Sequence, residues 1–262
     1  MLPRASLTAL ALAVGLSAGA AGAQDLTVGA NIGNVPWEFQ DDAGAFVGFE
    51  IDLVEEIADR LGREATIENI PFAGLFSAVQ SGRIDMAISS ITITPERLAE
   101  LSFAQPYYDS DQSLTVTAAS GLSSLEDMSG KVIGVDTGST GDIWATEHQG
   151  EYGFGEIRRF EGLAPAMLDL GNGRIDGYIS DIPALQYYVK DKPQFTVAER
   201  IPTGERYSIM FAKDAPLAAE VDEVITALKE EGFLAATHEK WFGAAPGEDT
   251  STVQAMDMPA AE

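Results

Sequence analysis

An α/β protein of two doubly wound lobes is the fold class this sequence predicts, on three observations. The frame Gly82-Arg83-Ile84-Asp85-Met86-Ala87-Ile88-Ser89 recurs as Gly173-Arg174-Ile175-Asp176-Gly177-Tyr178-Ile179-Ser180. A fainter echo pairs Leu26-Thr27-Val28-Gly29-Ala30-Asn31 with Lys131-Val132-Ile133-Gly134-Val135-Asp136, each a β-rich run that ends in polar residues. Helical patterns alternate with these short apolar strands, as they do where helices cover a sheet. At 262 residues, 45% hydrophobic and 22% charged, the chain has material for two such units, each with a core.

The first 23 residues carry Arg4, an apolar stretch from Leu7 to Leu16, and Ala21-Gly22-Ala23 before Gln24. That order reads as a signal peptide cleaved after Ala23, and hence as export to the periplasm. A membrane anchor is the other reading, but the Leu-rich part is shorter than the ~20 residues a spanning helix needs. A helix is predicted over Glu50 to Leu61, where Ile51, Val54, Ile57, Ala58 and Leu61 share a face and Gly62 stops it. Short helical patterns precede both copies of the repeated frame, with glycine at each stop. Pro106-Tyr107-Tyr108-Asp109-Ser110-Asp111 reads as the crossover out of the first lobe, and Thr203-Gly204-Glu205-Arg206 as the return. Lobe 1 is accordingly expected at 24–108 and 208–243, and lobe 2 at 109–207. Past Trp241-Phe242-Gly243 the chain turns to Ala, Pro and acids, so 244–262 is expected to be a disordered acidic tail.

Composition excludes several functions. The 41 acidic residues against 16 basic ones give a formal −25, or −26 once Arg4 leaves with the leader. So acidic a surface repels nucleic-acid backbones and anionic lipid. With no cysteine there are no disulfides, thiolate metal sites, thiol nucleophiles or lipid-anchor cysteine, and His148 and His238 are the only histidines. No metal or cofactor is expected. The loop Asp136-Thr137-Gly138-Ser139-Thr140-Gly141 lacks the lysine of a phosphate cradle, and no GxSxG, SxxK or HExxH motif occurs.

Ligands in wound sheets bind beyond the carboxyl ends of strands, which nominates Asn31, Ser90, Asp136 and Asp181. In Ser89-Ser90-Ile91-Thr92-Ile93-Thr94-Pro95-Glu96-Arg97 hydroxyls stand at a strand end and Arg97 opens a Pro-initiated helix. Arg97 reads either as a fork for a carboxylate, with Thr92 as a further donor, or as a surface partner of Glu96 or Glu100. Asp181 reads either as the N-cap of the helix at Ile182-Pro183-Ala184 or as an acceptor for an ammonium group. Together Arg97 and Asp181 would clamp a zwitterion. Trp37, Phe39, Phe72, Tyr107 and Tyr108 either line the cleft or fill cores.

Five segments, in order, resemble the polar-amino-acid solute-binding proteins of ABC importers, the extracellular solute-binding family 3. They are Val47-Gly48-Phe49-Glu50-Ile51-Asp52-Leu53, Gly82-Arg83-Ile84-Asp85, Ile91-Thr92-Ile93-Thr94-Pro95-Glu96-Arg97, Phe103-Ala104-Gln105-Pro106-Tyr107-Tyr108 and Lys240-Trp241-Phe242-Gly243. The resemblance implies the two-lobed type II periplasmic-binding-protein fold, with a two-strand hinge and an amino acid captured as the lobes close. It implies a monomer whose partners are a membrane permease and its ATPase. It further implies that Arg97, with Thr92 and Thr140, grips the α-carboxylate, that Asp181 takes the α-ammonium, that Ser90 contributes its carbonyl or hydroxyl, and that Phe72 packs on the ligand. Many relatives are acidic at the position of Asn31 and aromatic at that of Asn34. With Asp136, which reads either as pocket lining or as a helix cap, these residues imply a polar or basic amino acid. The family resemblance also covers cyclohexadienyl dehydratases, so a prephenate-dehydratase-like enzyme is the alternative to a receptor.

Overall fold

The structure, a computed structural model, describes residues 25–261; the expected signal peptide lies outside them. Two five-stranded sheets are built on one plan. The first runs Ala65–Asn69, Leu26–Ala30, Met86–Ala87, Met210–Ala212, Leu101–Phe103. The second runs Phe195–Tyr207, Tyr108–Thr117, Gly177–Asp181, Val132–Asp136, Glu156–Phe160. Each has parallel pairs where strands alternate with helices and antiparallel pairs where the chain returns. Both sheets are therefore mixed, not uniformly parallel.

The sequence echo has a structural cause. Asp85 Oδ2 accepts from the Thr27 backbone N–H at 2.7 Å, and the Asp85 N–H donates to the Thr27 carbonyl at 2.8 Å. Asp176 does the same to Val132, at 2.9 and 2.8 Å. In each lobe one aspartate thus locks the start of the repeated frame to the first strand, satisfying backbone groups that the strand end leaves open.

The helix Phe49–Arg60 buries Phe49, Ile51, Leu53, Val54, Ile57 and Ala58 against the first sheet, and Gly62 adopts φ 66° beyond it. Gly48, just before this helix, has φ 141°, and a Cβ there would lie 2.0 Å from the Trp37 carbonyl oxygen; only glycine fits. Asp52 of the same helix accepts from Trp241 Nε1 at 2.7 Å and from Lys240 Nζ at 2.6 Å, which draws two distant segments of the chain together. Trp37 and Tyr107 are fully buried in the first core with Phe49 and Tyr207; Trp37 and Tyr108 meet edge to face at 4.6 Å.

The crossover segments are strands. Tyr108–Thr117 and Phe195–Tyr207 pair antiparallel from Tyr108–Tyr207 to Thr117–Phe195, with register breaks between Val197 and Glu199 and between Ile201 and Glu205. Their ends nearest the first lobe therefore form the two-stranded connection. The expected disordered tail is instead laid against the body. Ser251 donates its N–H and hydroxyl to Asp109 at 2.8 and 2.7 Å, Met256 donates its N–H to Gln105 Oε1 at 3.0 Å, and Ser251 and Thr252 are buried. Composition measures the core a segment builds by itself; this one borrows its partners from the hinge.

Candidate binding cleft

The carboxyl ends of strands from both sheets converge on one cleft holding about 680 Å³ of space, its mouth included. All nine nominated residues line it: Asn31, Asn34, Phe72, Ser90, Thr92, Arg97, Asp136, Thr140 and Asp181. Trp37, Tyr107 and Tyr108 belong to the core, and Phe39 packs edge to face on Trp241 at 5.7 Å.

On the first lobe's side, Ser90 sits in a left-handed conformation, φ 46°. Its N–H donates to Glu50 Oε1 at 2.8 Å, and its hydroxyl accepts from Asn34 Nδ2 at 3.0 Å. Ser89 Oγ donates to Glu38 Oε1 at 2.5 Å and accepts from the Asn31 N–H at 3.3 Å. Buried acids thus hold the loop rigid behind its cleft-facing surface.

Arg97 stands in the short helix Pro95–Glu100, capped by Thr94 Oγ1, which accepts from the Arg97 N–H at 3.2 Å. Arg97 is 8% exposed and its guanidinium makes no ion pair among the described residues; the surface reading with Glu96 or Glu100 is not realised. Nη1 donates to the Thr92 carbonyl at 2.7 Å, and Nη2 reaches across to the Gly138 carbonyl of the second lobe at 3.3 Å. The group lies 4.9 Å from the Phe76 ring centre and 5.7 Å from that of Phe72. Burial pushes Arg97 down to about 10, against the pull of Glu205, Asp181 and Glu96, so it remains a cation at neutral pH.

On the second lobe's side, Asp181 stands at the N-terminus of the helix Ile182–Val189, but its carboxylate makes no cap bond. It accepts from Gln112 Nε2 at 2.6 Å instead. Burial first, and then the charge of Glu205, push it up to about 8. Asp136 does not cap the helix Thr140–Tyr152 either, since Ser139 accepts the Asp142 N–H there at 3.1 Å. Its Oδ2 accepts from Tyr178 OH at 2.6 Å, while Oδ1 is buried with no hydrogen-bond partner among the described residues. Burial pushes Asp136 up to about 6, so unlike Asp181 it is mostly ionised at neutral pH.

Sequence reasoning missed Glu205, which is 7% exposed behind the cleft. Its Oε2 accepts from Thr92 Oγ1 at 2.7 Å and from Thr140 Oγ1 at 3.0 Å, and its Oε1 accepts from Gln112 Nε2 at 3.0 Å. It also missed Gln112, Glu161 and Ser180. The only signal for Glu205 was its place in the return crossover.

A polar cleft between two lobes, with a fixed guanidinium on one wall and a carboxylate on the other, defines a protein built to enclose a small charged solute. The chain belongs to the bacterial extracellular solute-binding proteins, family 3, whose model matches residues 26–244. It is 28% identical to the arginine-binding extracellular protein ArtP of Bacillus subtilis (84% of this chain, 87% of the relative). It is 30% identical to the L-cystine-binding protein TcyJ of Escherichia coli (80% and 79%). Among solved structures, it is similar to the arginine-, lysine-, histidine-binding protein ArtJ of Geobacillus stearothermophilus, with TM-score 0.79 and 33% identity over 86% of this chain and 98% of that one. A P235GK mutant of ArgBP from T. maritima also has TM-score 0.79, at 34% identity over 84% and 95%.

Proposed function

We propose that this chain is the periplasmic receptor of an ABC amino-acid importer, capturing a polar or basic amino acid and presenting it, enclosed, to a membrane permease. The observation that carries the reading is Arg97 and Asp181 facing one cleft from opposite lobes. An amino acid brings a carboxylate and an ammonium out of water together, and each must find a counter-charge; removing one partner costs ~2–5 kcal/mol. Arg97, between Thr92 and Thr140, receives the carboxylate, Asp181 and the Ser90 carbonyl the ammonium, and Phe72 covers the stem. Asp136, Asn31 and Asn34 remain for the side chain. A buried carboxylate oxygen with no donor favours a cationic one, as do relatives named for arginine. Closure follows only if the ligand binds the closed form better than the open one.

On this reading the chain is exported, cleaved after Ala23, monomeric and chemically inert toward its ligand, and the partner ATPase supplies the energy of uptake. The test is thermal unfolding of residues 24–262 against arginine, lysine, ornithine, histidine, glutamine, cystine and glutamate. A ligand at 100 times its Kd stabilises by about 2.7 kcal/mol, a shift of several degrees. A shift with basic or polar amino acids that disappears in Arg97→Ala is expected. Best binding of a dicarboxylate, or no shift with any amino acid, defeats the proposal. One observation favours the dehydratase reading: Asp136 and Asp181 are held near neutrality, where a carboxyl works as acid or base. Loss of prephenate absorbance on incubation with the protein would establish that reading.

A further inference from the structure

Three side chains from separate elements meet on the Glu205 carboxylate. Thr92 belongs to the first lobe and is fixed to the return strand: it bridges to Tyr207, the Ile93 N–H donates to the Arg206 carbonyl at 2.9 Å, and the Ser208 N–H donates to the Ile91 carbonyl at 3.0 Å. Its hydroxyl therefore stays on Glu205 whatever the lobes do. Thr140 opens the helix Thr140–Tyr152, which packs on the second sheet, and Gln112 is registered opposite Asp181 in that sheet. The register break between Ile201 and Glu205 falls where the paired strands leave the second sheet for the first. Thr140 to Glu205 is thus a bond that lengthens if the lobes part about this point.

We propose that Glu205 is a positioning residue for capture: its Oε2 takes the Thr92 hydroxyl from the first lobe and the Thr140 hydroxyl from the second, so that this buried carboxylate is fully paired only when the lobes are closed. A buried carboxylate that loses a donor without gaining water is left with an unmet hydrogen-bonding demand, so the bond biases the hinge toward closure. It also commits both hydroxyl protons to Glu205, which leaves the Arg97 guanidinium as the side-chain donor to a ligand carboxylate. The proposal rests on the receptor reading.

The test uses the absence of native cysteine. Fluorophores on Ser81→Cys and Glu147→Cys, both exposed and outside the cleft, report lobe separation while L-arginine is titrated. In this background Glu205→Gln and Thr140→Val are each expected to weaken binding about 10- to 100-fold and to shift the label distance toward the open value at a fixed ligand concentration. The double variant is expected to lose no more than the worse single, because both remove one bond. Thr140→Ser, which keeps the hydroxyl, restores affinity and distance. Additive losses in the double variant, or Thr140→Val binding as tightly as the unchanged chain, overturn the proposal while leaving the receptor intact. If Glu205→Gln does not fold, Thr140→Val against Thr140→Ser decides: loss with recovery supports it, equal affinity overturns it. If the unchanged chain binds no amino acid in the unfolding screen, receptor and proposal fall together.

Discussion

Glu38 and Glu50 meet carboxyl to carboxyl beneath the Ser89–Ser90 loop, both fully buried, with hydrogen-bond donors for one anion and not for two. Glu50 Oε1 takes the Ser90 N–H and the Tyr107 hydroxyl, and Glu38 Oε1 takes the Ser89 hydroxyl; the Oε2 of each has no donor from elsewhere among the described residues. One proton held between them satisfies both. Burial, and then the charge of Glu50, push Glu38 well above its ordinary value.

A raised folded value means that the folded state holds this proton more tightly than the unfolded chain does. The resulting stability is fully present below the ordinary value of 4.5 and is lost as pH rises through the raised one. Glu38→Gln puts an N–H where the proton sits and removes that loss. Denaturant unfolding across the neutral and alkaline range should show the stability of Glu38→Gln improving relative to the unchanged chain as pH increases. A pH-independent difference would mean that no proton is shared.

Asp181, pushed up to about 8, is mostly protonated in the empty cleft at pH 7. A ligand ammonium pairs with the ionised form, so binding expels a proton and affinity strengthens as pH rises toward 8. Calorimetric titrations of arginine in two buffers of different ionisation enthalpy should differ by the heat of up to one proton per ligand. Asp181→Asn should abolish that difference and weaken binding by ~2–5 kcal/mol. Equal heats in both buffers for the unchanged chain would place the ammonium elsewhere.

On the receptor reading, Asp136 carries the choice of side chain. Asp136→Asn removes a buried charge from the cleft wall, while Tyr178 retains an acceptor. Arginine should lose about 10- to 100-fold in affinity, and the neutral isostere citrulline much less, since a hydrogen bond to a charged group is worth ~1.5–3 kcal/mol. Equal losses for the two ligands would make Asp136 a structural partner of Tyr178 alone.

The tail acts on the hinge root. Lys229 Nζ, largely buried, donates to Gln105 Oε1, the Pro106 carbonyl and the Gln254 carbonyl at 2.8, 2.7 and 3.0 Å, and Asp109 is held by Ser251. Truncation after Gly243 leaves Asp109 and Lys229 each short of a partner. The expected cost is ~1–3 kcal/mol, read as a fall of several degrees in Tm. An unchanged Tm would show that the strap contributes nothing to stability.

Much of the cleft was legible because strand ends can be read locally: Asn31, Ser90, Asp136 and Asp181 each follow a short apolar run, and the repeat marks two of them. Glu205 was not legible, because its donors Thr92 and Thr140 lie 113 and 65 residues away and a lone acid in Thr-Gly-Glu-Arg resembles any solvated turn. The tail misled for a related reason. Its composition offers no core, and its order comes from Asp109 and Lys229, whose proximity no local pattern encodes. Two choices that the residues left open, cap or cleft for Asp136 and for Asp181, turned on single hydrogen bonds made by Tyr178 and Gln112.

The echo between the lobes predicts matched responses to matched substitutions. A Cβ on Gly29 would lie 2.5 Å from Ile84 Cδ1, and one on Gly134 would lie 2.5 Å from Ile175 Cδ1: the isoleucine of each repeated frame fills the space its strand glycine leaves. Gly29→Ala and Gly134→Ala should each destabilise by ~1–3 kcal/mol through overpacking. Ile84→Val removes the clashing methyl at ~0.5–1.5 kcal/mol by itself, so Gly29→Ala with Ile84→Val should be more stable than the sum of the two single losses implies. The same should hold for Gly134→Ala with Ile175→Val, read by denaturant midpoint. Strict additivity in either lobe would mean that its glycine is needed for the backbone and not for the isoleucine, and the two halves would then share a motif without sharing its packing.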